Sequence, residues 1–159
     1  MTTLDSRSQA VLSIQLIDAR GPRFGAILTT LMLAATLLTI PSTISIILLS
    51  IQTLVFGLGS LVGLAAQPYG VIYRRFVQPK LGKPTDLEDP RPPRFAQSVG
   101  LMFAVLGLVA LLTGATTVAF VAVGAALAAA FLNAAFNFCL GCEMYLIGRR
   151  ILGRSSVSV

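Results

Sequence analysis

Val118–Phe138 reads VAFVAVGAALAAAFLNAAFNF, 21 residues without a single Asp, Glu, Lys or Arg. As a helix such a run rises about 30 Å, the depth of bilayer hydrocarbon. It shows no polar alternation, and at this length it predicts a helix rather than a strand. Three further stretches share the property: Phe24–Ile40, Ile44–Ala66 and Phe95–Thr113. The links Pro41-Ser42-Thr43 and Gly114–Thr117 are uncharged as well. All 12 basic and all 6 acidic residues therefore fall at the N-terminus, in the Tyr69–Arg94 connector or at the C-terminal end.

Composition agrees with this reading. Of 159 residues, 55% are apolar and 11% charged, where a soluble domain carries roughly a quarter charged. Lipid offers backbone N–H and C=O groups no partner, so the expected fold is all-α: four transmembrane helices in two helical hairpins. The chain divides into an N-terminal segment (1–23), a first hairpin (24–66), a connector (67–94), a second hairpin (95–148) and a tail (149–159). The first stretch is short, so it is expected to draw on the preceding residues or to stand nearly upright. The prolines Pro79, Pro84, Pro90, Pro92 and Pro93 make Gln78–Pro93 read as an extended, solvated connector.

Basic residues set the orientation. Arg7, Arg20 and Arg23 precede the first span. Arg74, Arg75, Lys80, Lys83, Arg91 and Arg94 separate the second and third, and Arg149, Arg150 and Arg154 follow the fourth. The positive-inside rule then expects both termini and the connector in the cytoplasm, in a multi-pass protein of the plasma membrane. Tyr69, Tyr73 and Tyr145 fall in the same zone, as an interfacial aromatic belt would. Topology and anionic headgroups account for the net charge of +6, which gives no reason to expect nucleic-acid binding. No cleavable signal peptide is expected. Ala10–Ile17 is too short to cross and reads as a surface amphipathic turn. Ser155–Val159 reads as a disordered tail.

The chain repeats itself. Asp18-Ala19-Arg20-Gly21-Pro22-Arg23-Phe24 matches Asp89-Pro90-Arg91-Pro92-Pro93-Arg94-Phe95 at five of seven positions. Each copy opens a hairpin from the same side, so the expected repeat is parallel, with a pseudo-twofold axis along the membrane normal. Proline suits a first helical turn, aspartate can cap its free N–H groups, and arginine keeps its charge at headgroup level. The axis would also gather Arg20, Arg23, Arg91 and Arg94 into a candidate anion-binding cluster. Asp18 and Asp89 could instead neutralise that cluster in an ion-pair network.

The two cysteines form Cys139-Leu140-Gly141-Cys142 at the inner end of the fourth stretch. On a continuing helix their sulfurs lie about one turn apart on one face. A CxxC is the minimal dithiol unit and the candidate catalytic pair, reduced at rest in a cytoplasm. Two alternatives stand beside that reading. The cysteines can be small packing residues. They can also be half of a metal site, although two sulfurs are only half of what zinc takes, and no histidine adds to them. Asn133 and Asn137 approach the pair and either join helices or bond a thiolate or substrate. Glu143 disfavours a nearby thiolate, whereas Arg149 and Arg150 favour one. Gly124 with Ala128, Ala125 with Ala129, and the set Gly57, Gly59 and Gly63 are expected to permit close helix packing.

Asp89-Pro90-Arg91-x-Pro93-Arg94-Phe95-Ala96-Gln97 and Asn137-Phe138-Cys139-Leu140-Gly141-Cys142-Glu143-Met144-Tyr145 give the chain its resemblance to a known group. From about Asp18 to Arg150 it resembles a family of small four-helix bacterial membrane proteins, common in actinobacteria, filed as a domain of unknown function. Phe24-Gly25-Ala26 departs from the pattern, since the first copy has no counterpart of Gln97. The resemblance implies four spans and no assigned activity. It also implies gene neighbours of thioredoxin-like and sulfurtransferase type, hence redox or sulfur handling.

Three functions follow as expectations. The first is thiol-disulfide or sulfane-sulfur exchange through Cys139 and Cys142 with a thioredoxin-like or sulfurtransferase partner. The second is a non-enzymatic accessory subunit of a larger membrane complex. The third is a small anion carrier, weakened by spans that hold no charge. The lipid bilayer is the expected surrounding, and no cofactor or metal is expected. Without histidine the chain has no Ser/His/Asp triad and no histidine-ligated haem, and it shows no nucleotide-binding loop.

Overall fold

The computed structural model describes residues 16–154, with the backbone alone at Arg154. The readings of Arg7, of residues 10–15 and of Ser155–Val159 lie outside the described residues. In chain order the elements are β1 (Ile17–Asp18), α1 (Arg20–Thr39), α2 (Thr43–Leu61), α3 (Pro68–Ile72), a π-helical turn (Tyr73–Val77), α4 (Gln78–Leu81), β2 (Leu87–Glu88), α5 (Arg91–Leu112), α6 (Thr116–Phe136) and α7 (Leu140–Arg154).

Helices α1, α2, α5 and α6 are each long and apolar enough to cross a membrane, and only 17% to 33% of their most apolar windows is buried inside the protein. Leu38 and Leu54, for example, are 86% and 69% exposed. Large outward apolar surfaces on all four helices are what hydrocarbon accepts and water does not.

Local chemistry starts and stops these helices. Asp18 Oδ1 accepts the backbone N–H of Arg20 at 3.0 Å, and Asp89 Oδ1 accepts that of Arg91 at 2.9 Å. The two Asp-x-Arg segments thus share one Asx-turn just ahead of the helix start. Ser42 caps α2 through its hydroxyl, which accepts from Ser45 N at 3.4 Å. Pro41 bars α1 from continuing. At the end of α6, Asn137 takes a left-handed conformation (φ 54°) while Phe138 N donates to Leu132 O at 3.2 Å. Asn137 N itself donates to Asn133 O at 3.1 Å, the bond of a left-handed helix stop, for which asparagine stands in for glycine.

The four long helices pack around Leu33, Leu49, Phe56, Ala104, Val123 and Ala126. α1 packs on α6 and α2, and α5 packs on α2, α6 and α7. Small residues allow this closeness. A Cβ on Gly107 would lie 3.1 Å from Val123 and 3.2 Å from Leu49, and one on Gly100 would lie 2.8 Å from the Phe56 ring. The buried face of α6 is Ala119, Ala122, Val123 and Ala126. This corrects the expected packing pairs: Ala125 and Ala128 are exposed, and a Cβ on Gly124 would meet nothing within 4 Å. On α2, Gly59 packs tightly against Gln97, whereas Gly63 lies beyond the helix in a positive-φ turn.

The two halves interlock. Arg23 Nε donates to Ala134 O at 3.3 Å, near the end of α6. At the matching repeat position, Arg94 donates to Ser60 O and Leu61 O, both at 2.7 Å, at the end of α2. Phe24 lies 5.7 Å from the Tyr73 ring, and Phe95 lies 5.8 Å from the Tyr145 ring. Ile17 pairs with Glu88 and Asp18 with Leu87 in an antiparallel two-stranded ribbon.

Two further expectations need correction. The connector is not extended from Gln78, because helix runs from Pro68 to Leu81 and the ribbon holds Leu87–Glu88. Pro79 sits in the first turn of α4, where a missing N–H costs nothing. Nor do Tyr69 and Tyr73 form a lipid-facing belt: they are 9% and 2% exposed. α3 and the π-turn fold back onto α1, and the phenols find partners on α2 and β1. Tyr69 donates to Gln52 Oε1 at 2.9 Å, and Tyr73 donates to Asp18 Oδ2 at 2.8 Å.

Candidate functional site

Because α6 stops at Phe136, the cysteines do not ride on its last turn. Cys139 precedes α7 and Cys142 lies in the first turn of that helix. This corrects the placement of both sulfurs on one face of the fourth span. The sulfurs are at disulfide distance, with the Cα atoms 5.2 Å apart. Cys142 N donates to Cys139 Sγ at 3.3 Å, and Glu143 N donates to Cys139 O at 3.0 Å. Cys139 therefore caps a helix of 15 residues. Free N–H groups and the positive end of the helix dipole face its sulfur, an arrangement that favours negative charge there once the pair is reduced.

Gly141 fixes where that helix begins. A Cβ on it would fall 2.6 Å from both Cα and Cβ of Ala96, so the CxxC turn lies directly on α5. Tyr145, one turn further on, packs on Phe95.

A cavity of about 320 Å³ opens beside the sulfurs. Its wall brings together Cys139, Cys142, Asn133, Asn137, Arg20 and Arg23, with the carboxylates Asp86, Glu88 and Glu143. Glu88 is held above the usual carboxylate range, first by burial and then by the negative charge of Asp18. Arg149 and Arg150, about two turns along α7, are exposed and do not line this cavity.

The four repeat arginines are divided. Arg20 and Arg23 border the sulfur cavity, while Arg91 and Arg94 border a second cavity of about 780 Å³ at the end of α2. Each has a protein partner. Arg20 donates to Lys83 O at 2.9 Å, and its Nε lies 3.3 Å from Asp18 Oδ1 without hydrogen-bond alignment. Arg91 Nε lies 3.9 Å from Asp89 Oδ1. Arg23 and Arg94 hold the helix-end carbonyls described above. Among the described residues, no three Cys, Asp or Glu side chains converge as a metal-binding set.

Counting charges along the apolar stretches passes over a set of buried amides. Gln52 on α2 is fully buried, accepts from Tyr69 and donates to Thr29 Oγ1 at 3.4 Å. Gln67, 4% exposed, donates to Gln97 Oε1 at 3.3 Å. The available clue was Gln52 itself, a lone amide in a long apolar run, which in a membrane helix faces a protein partner. Burial and the Asp18 hydrogen bond raise the Tyr73 phenol to about 12, against a smaller opposing effect of Arg20.

The chain belongs to the family described as Domain of unknown function (DUF4395), which it matches over residues 17–150. No curated protein and no solved structure matches it.

Proposed function

We propose that this member of the family is a thiol-exchange protein of the plasma membrane, with Cys139 the attacking sulfur, Cys142 the resolving sulfur and both facing the cytoplasm. One observation carries the reading: Cys139 Sγ accepts the Cys142 N–H at the start of α7, beside a polar cavity. The reduced Cys139 thiolate attacks a partner disulfide, and one partner sulfur leaves as thiolate. Cys142 then attacks Cys139, releasing the second partner sulfur and closing the Cys139–Cys142 disulfide. Two electrons pass to the partner. With a persulfide donor, Cys139 takes the outer sulfur, and attack by Cys142 releases it as hydrosulfide. The partner is a thioredoxin-like or sulfurtransferase protein, with Arg20 and Arg23 attracting its acidic surface or an anionic substrate.

The orientation rests on the basic residues of the helix ends. The matching contacts of Arg23 with Ala134 and of Arg94 with Leu61 support a parallel repeat about the membrane normal. In cells, Cys142→Ser is expected to accumulate a mixed disulfide through Cys139, and a membrane-impermeant maleimide is expected to label the pair only after the inner face is opened. Absence of any trapped partner, with normal growth of the double Cys→Ser strain under thiol stress, would remove the proposal.

A second reading, an accessory subunit of a larger membrane complex, is favoured by the open small-residue face of Gly124, Ala125 and Ala128 on α6. Cross-linking from Ala125→Cys in membranes tests it. A protein that remains monomeric and captures no neighbour would count against it.

A further inference from the structure

The larger cavity, about 780 Å³, contains neither cysteine. Among the described residues its charge is unbalanced: Arg74, Arg91 and Arg94 line it against the single carboxylate of Asp18. Both oxygens of that carboxylate are engaged elsewhere, Oδ1 by the Arg20 backbone N–H and Oδ2 by the Tyr73 hydroxyl. The arginines are held mainly by neutral acceptors. Arg94 donates to Ser60 O and Leu61 O, and Arg74 donates to Ala65 O. Carbonyls fix a guanidinium in place without cancelling its charge. Among the described residues the side chain of Arg91 pairs with Asp89 alone, 3.9 Å away with both side chains well exposed, a pair of small energetic weight.

The floor of the cavity adds hydrogen-bonding groups. Gln67 Nε2 donates to Gln97 Oε1, which leaves the Gln97 amide N–H groups and Gln67 Oε1 without protein partners among the described residues. Gly25 borders the space, and a Cβ there would come no closer than 3.9 Å to Tyr69, so a side chain added at this position has room. Leu16, Val62 and Leu64 form an apolar side wall. The helix start of α5 supplies nothing itself, because Pro92 and Pro93 have no N–H. Recognition falls to side chains.

We infer that this cavity binds a phosphate-type oxyanion, carried by an anionic lipid headgroup or free in solution. Guanidinium groups match such oxygens in pairs, the Gln97 amide offers a further donor, and the apolar wall accommodates the start of an acyl chain. The site is independent of the sulfur chemistry, so either proposal can fail alone.

Native mass spectrometry of the full protein, released from mild detergent containing phosphatidylglycerol, tests it. One retained phosphatidylglycerol per chain is expected, with phosphatidylcholine not retained. The Arg74→Gln/Arg91→Gln double variant should lose occupancy about 10-fold or more, the loss of one or two charge-assisted hydrogen bonds. Arg150→Gln, outside both cavities, should behave as wild type. Gly25→Leu keeps every arginine but projects a side chain into the space, so it should also weaken lipid retention, and it decides the matter if the double variant fails to fold. Thermal stabilisation by millimolar inorganic phosphate without lipid, lost in the same variants, assigns the free anion as the source. Retention unchanged in both the double variant and Gly25→Leu, or no response to either lipid or phosphate, overturns the proposal.

Discussion

Cys142 donates its backbone N–H to Cys139 Sγ across 3.3 Å, so the two sulfurs of the pair are chemically unlike before any partner arrives. Cys139 receives the N–H and the helix dipole, whereas Cys142 sits within the turn. In reduced protein at pH 7, Cys139 in the Cys142→Ser variant should alkylate on the order of 10-fold faster than Cys142 in Cys139→Ser, because thiolate fraction sets the rate. Rates within a factor of two of each other would show that the helix start does not distinguish them.

Gly141 and Gly124 should answer the same substitution in opposite ways. A Cβ on Gly141 meets Ala96 at 2.6 Å, so Gly141→Ala forces α7 away from α5 at a cost of about 1–3 kcal/mol. A Cβ on Gly124 meets nothing within 4 Å, so Gly124→Ala should be neutral or gain up to about 1 kcal/mol. SDS-driven unfolding in mixed micelles measures both. Equal effects would contradict the packing described.

Arg94 should matter more to stability than its repeat partner Arg23. It makes two hydrogen bonds of 2.7 Å to the end of α2, against one of 3.3 Å from Arg23 to Ala134. Both side chains are exposed, which weakens the charge contribution. Arg94→Gln is expected to cost about 1–2 kcal/mol and Arg23→Gln under about 1 kcal/mol in the same unfolding assay. The reverse order would exclude helix-end capping as the role of Arg94.

Gln52 and Tyr69 should behave as one unit. Tyr69→Phe or Gln52→Leu each strands a buried partner at about 1–2 kcal/mol. The double variant strands neither across that bond, so its cost should fall short of the sum. Strict additivity would mean that the 2.9 Å bond carries no weight.

Glu88 gives the fold a pH dependence. Burial and Asp18 raise its carboxyl above the unfolded value. A raised acid binds its proton more tightly in the folded protein, so its contribution is complete below the unfolded value of about 4.3 and is lost as pH rises through the higher folded value. Wild-type melting temperature should therefore fall across that window on the way to neutrality, and Glu88→Gln should flatten the fall. An unchanged slope in the variant would assign the dependence to another group.

The apolar runs located all four long helices to within a few residues at most ends, because length and hydropathy decide where a backbone can enter hydrocarbon. They misjudged α2, read as far as Ala66 but ending at Leu61, because Val62–Ala66 stays apolar through a glycine turn. They could not say which alanines of α6 face inward. A helix that is apolar all round carries no stripe, so rotation is set by what it packs against. The CxxC and the Asp-x-Arg-x-Pro-Arg-Phe copies were legible as motifs, yet their partners were not.

Composition and order of residues alone determined that this chain has four helices suited to a bilayer, charges gathered at their ends, and a dithiol near the last of them. Those properties are local: they depend on runs of side chains and on the backbone's need for internal hydrogen bonds. Only the tertiary structure decided that Asn137 ends α6 so that Cys139 caps a separate helix, that Tyr69 and Tyr73 turn inward, and that the four arginines part into two cavities. The Asn137 stop is a backbone conformation made by neighbours within six residues, which hydropathy does not report. The inward tyrosines and the parted arginines depend instead on contacts between residues far apart in the chain, which neither hydropathy nor spacing encodes one segment at a time.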